Sequence, residues 1–325
     1  MDQPLAKNIF QQDHPNKGQI DARQLWANNR FWMESENIKS KRYGGKSHHH
    51  WYVLLWLMKI LQFGLKITGL YQQGCRNAQN IVFRELSIVV PELPAAFHGF
   101  TILQLSDLHL DGMPSLEHKL LELIGDRVFD ICALTGDYRT ELHGPINDVV
   151  QSLKILVDGI QTRQGVLGIL GNHDDVHMVT PIEALGVRML INENIIFEKD
   201  GQSLQFIGTD DVHYYYTDLA LHALENAKDH CTVALIHSAE LYLAAEQFGV
   251  NLYLCGHTHA GQVCLPGGIP LITHLNHGKE FFRGQWQYNN MQGITNAGAG
   301  TSGIPVRFNS QGEVLAITLL CDRTS

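Results

Sequence analysis

The reading turns on Leu254–Gln262, LCGHTHAGQ. An apolar run reaches a glycine, and two histidines follow one residue apart. If the chain stayed extended, the period of two would aim both imidazoles the same way. On a half-buried strand that is awkward, because each buried ring nitrogen needs a partner. Just beyond the end of a buried strand, two rings aimed at one point can instead grip a metal ion. A His-X-His alone decides nothing, so the rest of the chain must supply further donors.

Working outward, the same texture recurs. FTILQLSDLHL, FDICALTGD, QGVLGILGNHDD, QSLQFIGTDD, CTVALIHSAE and VNLYLCGHTH are each a short buried-type run closed by polar residues. Helix-like stretches lie between several of them, namely PSLEHKLLELIGDRV, INDVVQSLKILVDGI and SAELYLAAEQF, and strands return in MQGITNAGAG and GEVLAITLL. Such alternation predicts an α/β domain whose ligands gather beyond the strand C-termini. At those ends stand Asp107 and His109, Asp137, the turn Asn172-His173-Asp174, His237, and His257 with His259. Carboxylate, amide and imidazole are the donors that hold Mn, Fe or Zn ions. Singly, each has an ordinary reading as a cap, a turn or a satisfied core histidine. Five strand ends delivering them in one order do not.

The bulk properties agree. The chain has 325 residues, 44% hydrophobic and 18% charged, which suits a folded α/β domain. Its 24 Lys and Arg against 33 Asp and Glu give a formal charge of −9, which speaks against a nucleic-acid-coating protein. The six cysteines form no CxxC pair and predict no disulfide framework. With no apolar N-terminal signal in residues 1–30, a reducing, cytoplasmic location is expected.

Four segments are expected: a polar extension over 1–50, with helix around IDARQLWANNRFWM; an apolar helix over 51–74; a connector over 75–96; and the α/β domain over 97–325. In WYVLLWLMKILQFGLKITGLYQQG, Lys59 and Lys66 fall with Gln62 and Gln73 at helical spacing, making a narrow polar stripe. Lys39, Lys41, Arg42 and Lys46 precede it. This suits a helix lying at the inner face of an anionic membrane rather than spanning it. Packing on the protein's own core or on a second copy is the alternative.

The ordered blocks DxH, GD, GNHD, a lone His and GHxH, running over about residues 100–260, resemble the calcineurin-like metallophosphoesterases. GHTHAGQVCLPGG followed by GTSGIPVRFN further resembles a bacterial, membrane-associated phosphodiesterase branch, except that Ala260 stands where that branch usually has Gly. The resemblance implies a four-layer α/β/β/α sandwich. It also implies two metals, one held by Asp107, His109, Asp137 and His259, the other by Asp137, Asn172, His237 and His257. In that pattern Asp137 would bridge the two ions, and a hydroxide shared by them would attack phosphorus in line with the leaving oxygen. His173, not a ligand in the family pattern, is expected to stabilise the phosphoryl oxygens or protonate the leaving group, with Asp174 orienting its ring. Weaker substrate-binding candidates are Arg139, His143, Asp211, His213 and Arg307.

The expected substrate is a phosphodiester or diphosphate, with a membrane (glyco)lipid as the concrete candidate, since related enzymes cleave a lipid A precursor diphosphate. The alternatives are a soluble enzyme for small nucleotides or other small esters, and a non-catalytic metal-binding scaffold. No nucleic-acid partner is expected.

Overall fold

The computed structural model describes residues 22–43 and 46–322. Residues 1–21 of the expected extension, and the side chains of Lys39, Lys41, Arg42 and Lys46, lie outside the described residues.

Two six-stranded sheets form the centre. In the first, β1 (Val82–Val90), β2 (Thr101–Leu105), β3 (Ile131–Leu134), β4 (Val166–Gly168), β5 (Val187–Met189) and β12 (Glu313–Cys321) lie in the order β1-β12-β2-β3-β4-β5. Strands β2 to β5 run parallel, as their crossover helices require. In the second, β6 (Glu193–Lys199), β7 (Gln202–Gly208), β8 (Cys231–Leu235), β9 (Leu252–Cys255), β10 (Gly284–Tyr288) and β11 (Met291–Thr295) lie in the order β10-β11-β9-β8-β7-β6. Its middle strands are again parallel, and the hairpin strands β6 and β10 close its edges antiparallel.

Alternation of side chains along the strands builds three apolar layers. Ile102, Ile131, Leu167, Phe206, Val233 and Leu254 fill the space between the sheets. Leu103, Leu105, Cys132 and Leu134 point the other way, onto α4 (Leu116–Ile124), α5 (Asn147–Gly159) and α6 (Val179–Ala184). Ile207, Ala234 and Tyr253 meet α7 (Asp218–Glu225) and α8 (Tyr242–Gln247) on the far side. The fold is the expected α/β/β/α sandwich. Gln104 breaks the alternation inside it, but its amide donates to Thr135 Oγ1 (3.2 Å) and Cys255 O (3.0 Å) and so stitches the two sheets together.

Three helices precede the sandwich: α1 (Ala22–Tyr43), α2 (Lys46–Ile67) and α3 (Leu70–Gln79). The expected helix over 51–74 is thus two helices. Gly69 takes a left-handed φ of 74°, the usual chain reversal just past a helix end, so Gln73 sits on α3 and leaves the polar stripe of α2. The segment expected as a connector contains β1, which pairs with β12 from Val82↔Glu313 to Val90↔Cys321. Its IVFRELSIVV reads as a strand once β12 is there to pair with. No helix among the described residues is long and apolar enough to cross a membrane.

Candidate metal centre

The strand-end residues converge. Asp107 and His109 follow β2, Asp137 follows β3, Asn172 and His173 follow β4, His237 follows β8, and His257 and His259 follow β9. Because both sheets present C-terminal strand ends on one side, seven donors from five strands meet in one buried cluster. Two groups can each surround an ion: Asp107, His109 and His259, and Asp137, His237 and His257. Asp137 connects them. Its Oδ1 accepts the His173 N–H (2.8 Å), while Oδ2 lies 3.3 Å from His237 Nε2 and 3.7 Å from His109 Nε2. Asn172 Oδ1 lies 2.7 Å from His257 Nδ1 and 3.2 Å from His237 Nε2.

The donor chemistry fits cations. His109 Nδ1 donates to Arg139 O (2.7 Å) and His237 Nδ1 to Thr135 O (2.8 Å), which turns each Nε2 inward. His109 Nε2 and His259 Nε2 then face each other at 3.2 Å, an arrangement a shared positive ion satisfies. Burial holds His109 down to about 4 and pushes His257 and His259 well below the usual histidine range, so these three rings are neutral at pH 7. Burial lifts Asp107 to about 6. For His237, burial favours the neutral form, but the Asp137 carboxylate overcomes it and raises the ring well above its usual range. Asp137 is correspondingly drawn well below the carboxylate range despite its own burial.

The backbone holds this geometry in an unusual state. Asp107, His109, Asp137, His257 and His259 all have φ between 41° and 70°, where L-residues other than Asn and Asp are uncommon. Ala260, at φ 49°, shares that conformation, which suits the glycine expected there. Gly256 is required for a different reason. Its φ is ordinary, but a Cβ there would collide with Ser106 Oγ and Asp107 Oδ2, so it permits close approach of two loops.

His173 sits over this cluster, its ring edge-on to His109 with centroids 5.0 Å apart. The expected orienting partner is corrected. His173 Nδ1 donates to Thr140 O (2.6 Å), leaving Nε2 3.4 Å from Ser302 Oγ. The Asp174 carboxylate instead accepts the N–H groups of Asp137 (2.8 Å), Tyr138 (2.9 Å) and Gly171 (2.8 Å). A carboxylate just after a tight turn finds backbone donors before it can fold back on the preceding ring. Burial raises it to about 7.

Three of the weaker candidates are likewise corrected. Arg139 is buried, with its guanidinium on Asp175 (2.9 Å). Asp211 is buried and accepts the N–H groups of His213 (3.2 Å) and Tyr214 (2.8 Å). Arg307 is fully buried, and its two terminal nitrogens donate to the carbonyls of Ala297, Gly298, Gly300 and His259 at 2.8–3.1 Å, so they are spent on closing these loops. In each case the polar side chain closes a loop, which is how buried polar groups are normally used. His213 does reach the centre: its ring lies 4.4 Å from that of His257, and its Nδ1 pairs with Glu240 Oε2 (2.9 Å). His143 is exposed beside a cleft of about 230 Å³ whose other wall includes Phe31 and Asn37 of α1. A larger groove of about 750 Å³ runs behind Ala260 and holds none of the donors.

Sequence reasoning missed His274, whose carbonyl lies 3.3 Å from His257 Nε2, and Ser302 beside His173. His274 belongs to no local motif, and Ser302, though inside GTSGIPVRFN, has no expected role there. It also missed α1. Trp26, Arg30 and Glu34 recur every four residues and are all buried, a helical face visible in the sequence but two-thirds made of Arg and Glu, which normally face solvent.

Residues 100–261 match the family model of the calcineurin-like phosphoesterases, and the chain belongs to that family. It is therefore a metallophosphoesterase, a hydrolase of phosphate esters from a class that uses two divalent metal ions. It is 29% identical over 239 residues to an uncharacterized metallophosphoesterase of Bacillus subtilis, YkuE, covering 70% of this chain and 81% of that one. A second Bacillus subtilis protein, YkoQ, is 27% identical over 291 residues, covering 81% and 98%. Among solved structures, a putative 5'-nucleotidase from Staphylococcus aureus aligns with a TM-score of 0.40 at 14% identity over 70% of this chain. The present chain spans about half of that structure, 55%.

Proposed function

We propose that this chain hydrolyses a phosphodiester or diphosphate whose leaving or retained group is a membrane (glyco)lipid. The observation that supports the hydrolytic half is the single buried cluster of seven donors around Asp137. Asp107, His109, Asp137 and His259 would hold one ion, and Asp137, Asn172, His237 and His257 the other. The ions, when bound, supply charge neutralisation at phosphate oxygens and lower the pKa of a water. The chain's own residues do the rest. Backbone carbonyls fix the tautomers of His109 and His237, and Asp174 fixes the loop that carries Asp137. Thr140 O holds one proton of His173 on Nδ1, which leaves Nε2, beside Ser302 Oγ, to carry the second proton that the imidazolium form would give to the leaving alkoxide.

Support for the lipid half comes from α2. Val53, Trp56, Leu57, Ile60, Phe63 and Ile67 are all exposed, with Trp56 at 63% and Phe63 at 66%. At 3.6 residues per turn they occupy about a third of the helix circumference. Lys59 and Lys66 border that face, as on a helix lying in a headgroup layer. The opposite face reaches the loop around Gly303, where Met58 leaves no room for a Cβ. That loop also carries Ser302, the neighbour of His173.

The test is hydrolysis of bis-p-nitrophenyl phosphate against p-nitrophenyl phosphate by the metal-stripped chain resupplied with Mn²⁺, Zn²⁺ or Fe²⁺. Cleavage of the diester in preference to the monoester, together with sedimentation on phosphatidylglycerol vesicles, is the expected result. Monoester preference would overturn the diester reading, and a stable homodimer that ignores vesicles would overturn the lipid reading. Asp137→Ala is expected to lose both ions; a full complement by elemental analysis would break the bridging assignment.

A further inference from the structure

Helix α1 lies outside the residues that match the family, yet its polar face is bonded to the metal-bearing loops. Arg30 is fully enclosed, and each nitrogen of its guanidinium is engaged. Nε donates to Glu34 Oε1 (2.8 Å), Nη1 to Asp210 Oδ1, and Nη2 to Asp174 O (2.8 Å) and, more weakly, Gly171 O (3.5 Å). The plane stacks 3.6 Å over the Tyr215 ring. Trp26 Nε1 donates to the other Asp210 oxygen (2.7 Å), and Glu34 Oε1 also accepts the Val176 N–H (3.0 Å).

Taken together, α1 grips the Gly171–Val176 turn at three backbone points, and that turn presents Asn172 and His173. Through Asp210 it also holds the start of the loop that carries His213 beside His257. A forked cation suits this task, because one planar group can satisfy acceptors on two loops at fixed angles. An ordinary surface helix would need none of these bonds. Their cost in desolvating a guanidinium is large and is offset only when every acceptor is in place.

We propose that Arg30 is a positioning residue of the metal centre: α1 sets the GNHD turn, and with it the ion held by Asn172, His237 and His257, so that the catalytic unit includes α1 as well as the residues from about 100 onward. This rests on the two-ion reading above. Arg30 touches no substrate; it acts through the placement of Asn172 and His173. Removal of such an orienting partner commonly lowers metal affinity or turnover by about ten- to a hundredfold.

The experiment uses the full chain with Arg30→Lys, which retains the charge but not the fork, and Trp26→Phe, which retains the ring but removes the donor to Asp210. Mn²⁺ binding is followed by competition with a chromophoric chelator, and diester hydrolysis is measured at saturating Mn²⁺. Folding is checked by near-ultraviolet circular dichroism. The expected result for Arg30→Lys is one Mn²⁺ site weakened by about ten- to a hundredfold and the other unchanged, with kcat lowered and KM held. Trp26→Phe should move the same site in the same direction by less. Equal weakening of both sites, or parent-like binding and kcat in a folded variant, overturns the proposal. If Arg30→Lys does not fold, Trp26→Phe decides alone by the same two criteria. A parent chain that binds fewer than two Mn²⁺ would overturn the two-ion reading itself, and the inference with it.

Discussion

Helices α1 and α2 are each 22 residues long and follow one another before the sandwich, yet they use opposite chemistry. The more polar helix, α1, sinks Trp26, Arg30 and Glu34 into the domain and shows Leu25, Phe31 and Trp32 to the outside. The more apolar helix, α2, shows Trp56, Phe63 and Ile67 on its exposed face. Hydropathy alone would assign the docking the other way round. What decides is the surface each helix meets. The metal-bearing loops end in carbonyls and in Asp210, which ask for a fixed cation and N–H donors, whereas the loop around Gly303 offers a small apolar seat to Met58.

The contrast can be broken at either helix. Arg30→Met leaves Asp210 buried without its cation, and loss of one partner of a buried pair costs about 3–5 kcal/mol, read from urea unfolding of the metal-free chain. A loss under about 0.5 kcal/mol, the range of ordinary surface changes, would mean that α1 is merely laid on the domain. On α2 the same measurement should barely respond. Trp56→Gln with Phe63→Gln should leave unfolding within about 0.5 kcal/mol of the parent. Vesicle partitioning should nonetheless fall roughly a hundredfold, because two large apolar side chains no longer leave water on binding. Unchanged partitioning would remove α2 from the membrane reading.

Smaller changes sharpen the comparison at the loops that α1 holds. Asp174→Asn keeps the shape but turns an amide N–H₂ toward backbone donors, at a cost of about 1–3 kcal/mol in chemical unfolding. Because Asp174 does not touch the His173 ring, the substitution should not shift the pH at which the general acid works once metal is saturating; a shift of one pH unit would restore the orienting role. Ala260→Gly is the mildest. It removes a Cβ from a left-handed residue and should stabilise the chain by about 0.5–1 kcal/mol in thermal unfolding, with turnover unchanged. A loss of stability there would mean that the Ala260 methyl packs usefully.

The metal-bearing residues were legible because each block is short and local: an apolar strand, then a turn, then a donor. Asp107, Asp137, Asn172 and the three later histidines could be picked out one strand end at a time. The partners of Arg139, Asp174 and Arg307 were not legible, since a polar side chain in a loop reads the same whether it meets a substrate or a backbone carbonyl. For Arg307 the acceptors lie as far away as His259, 48 residues earlier. Arg30 lies 180 residues from Asp210, and no local pattern connects them.

By itself, then, the amino-acid sequence determined the α/β class, the order of the strands along the chain and the chemical identity of the donors, all of which follow from side-chain period and turn chemistry within about ten residues. Tertiary structure alone decided which donors share a position, that Asp137 faces both groups, that His173 leans on Thr140, and that a polar helix rather than an apolar one is built into the centre. Those outcomes depend on distances between segments far apart in the chain, fixed only when two sheets pack face to face and bring their strand ends to one edge.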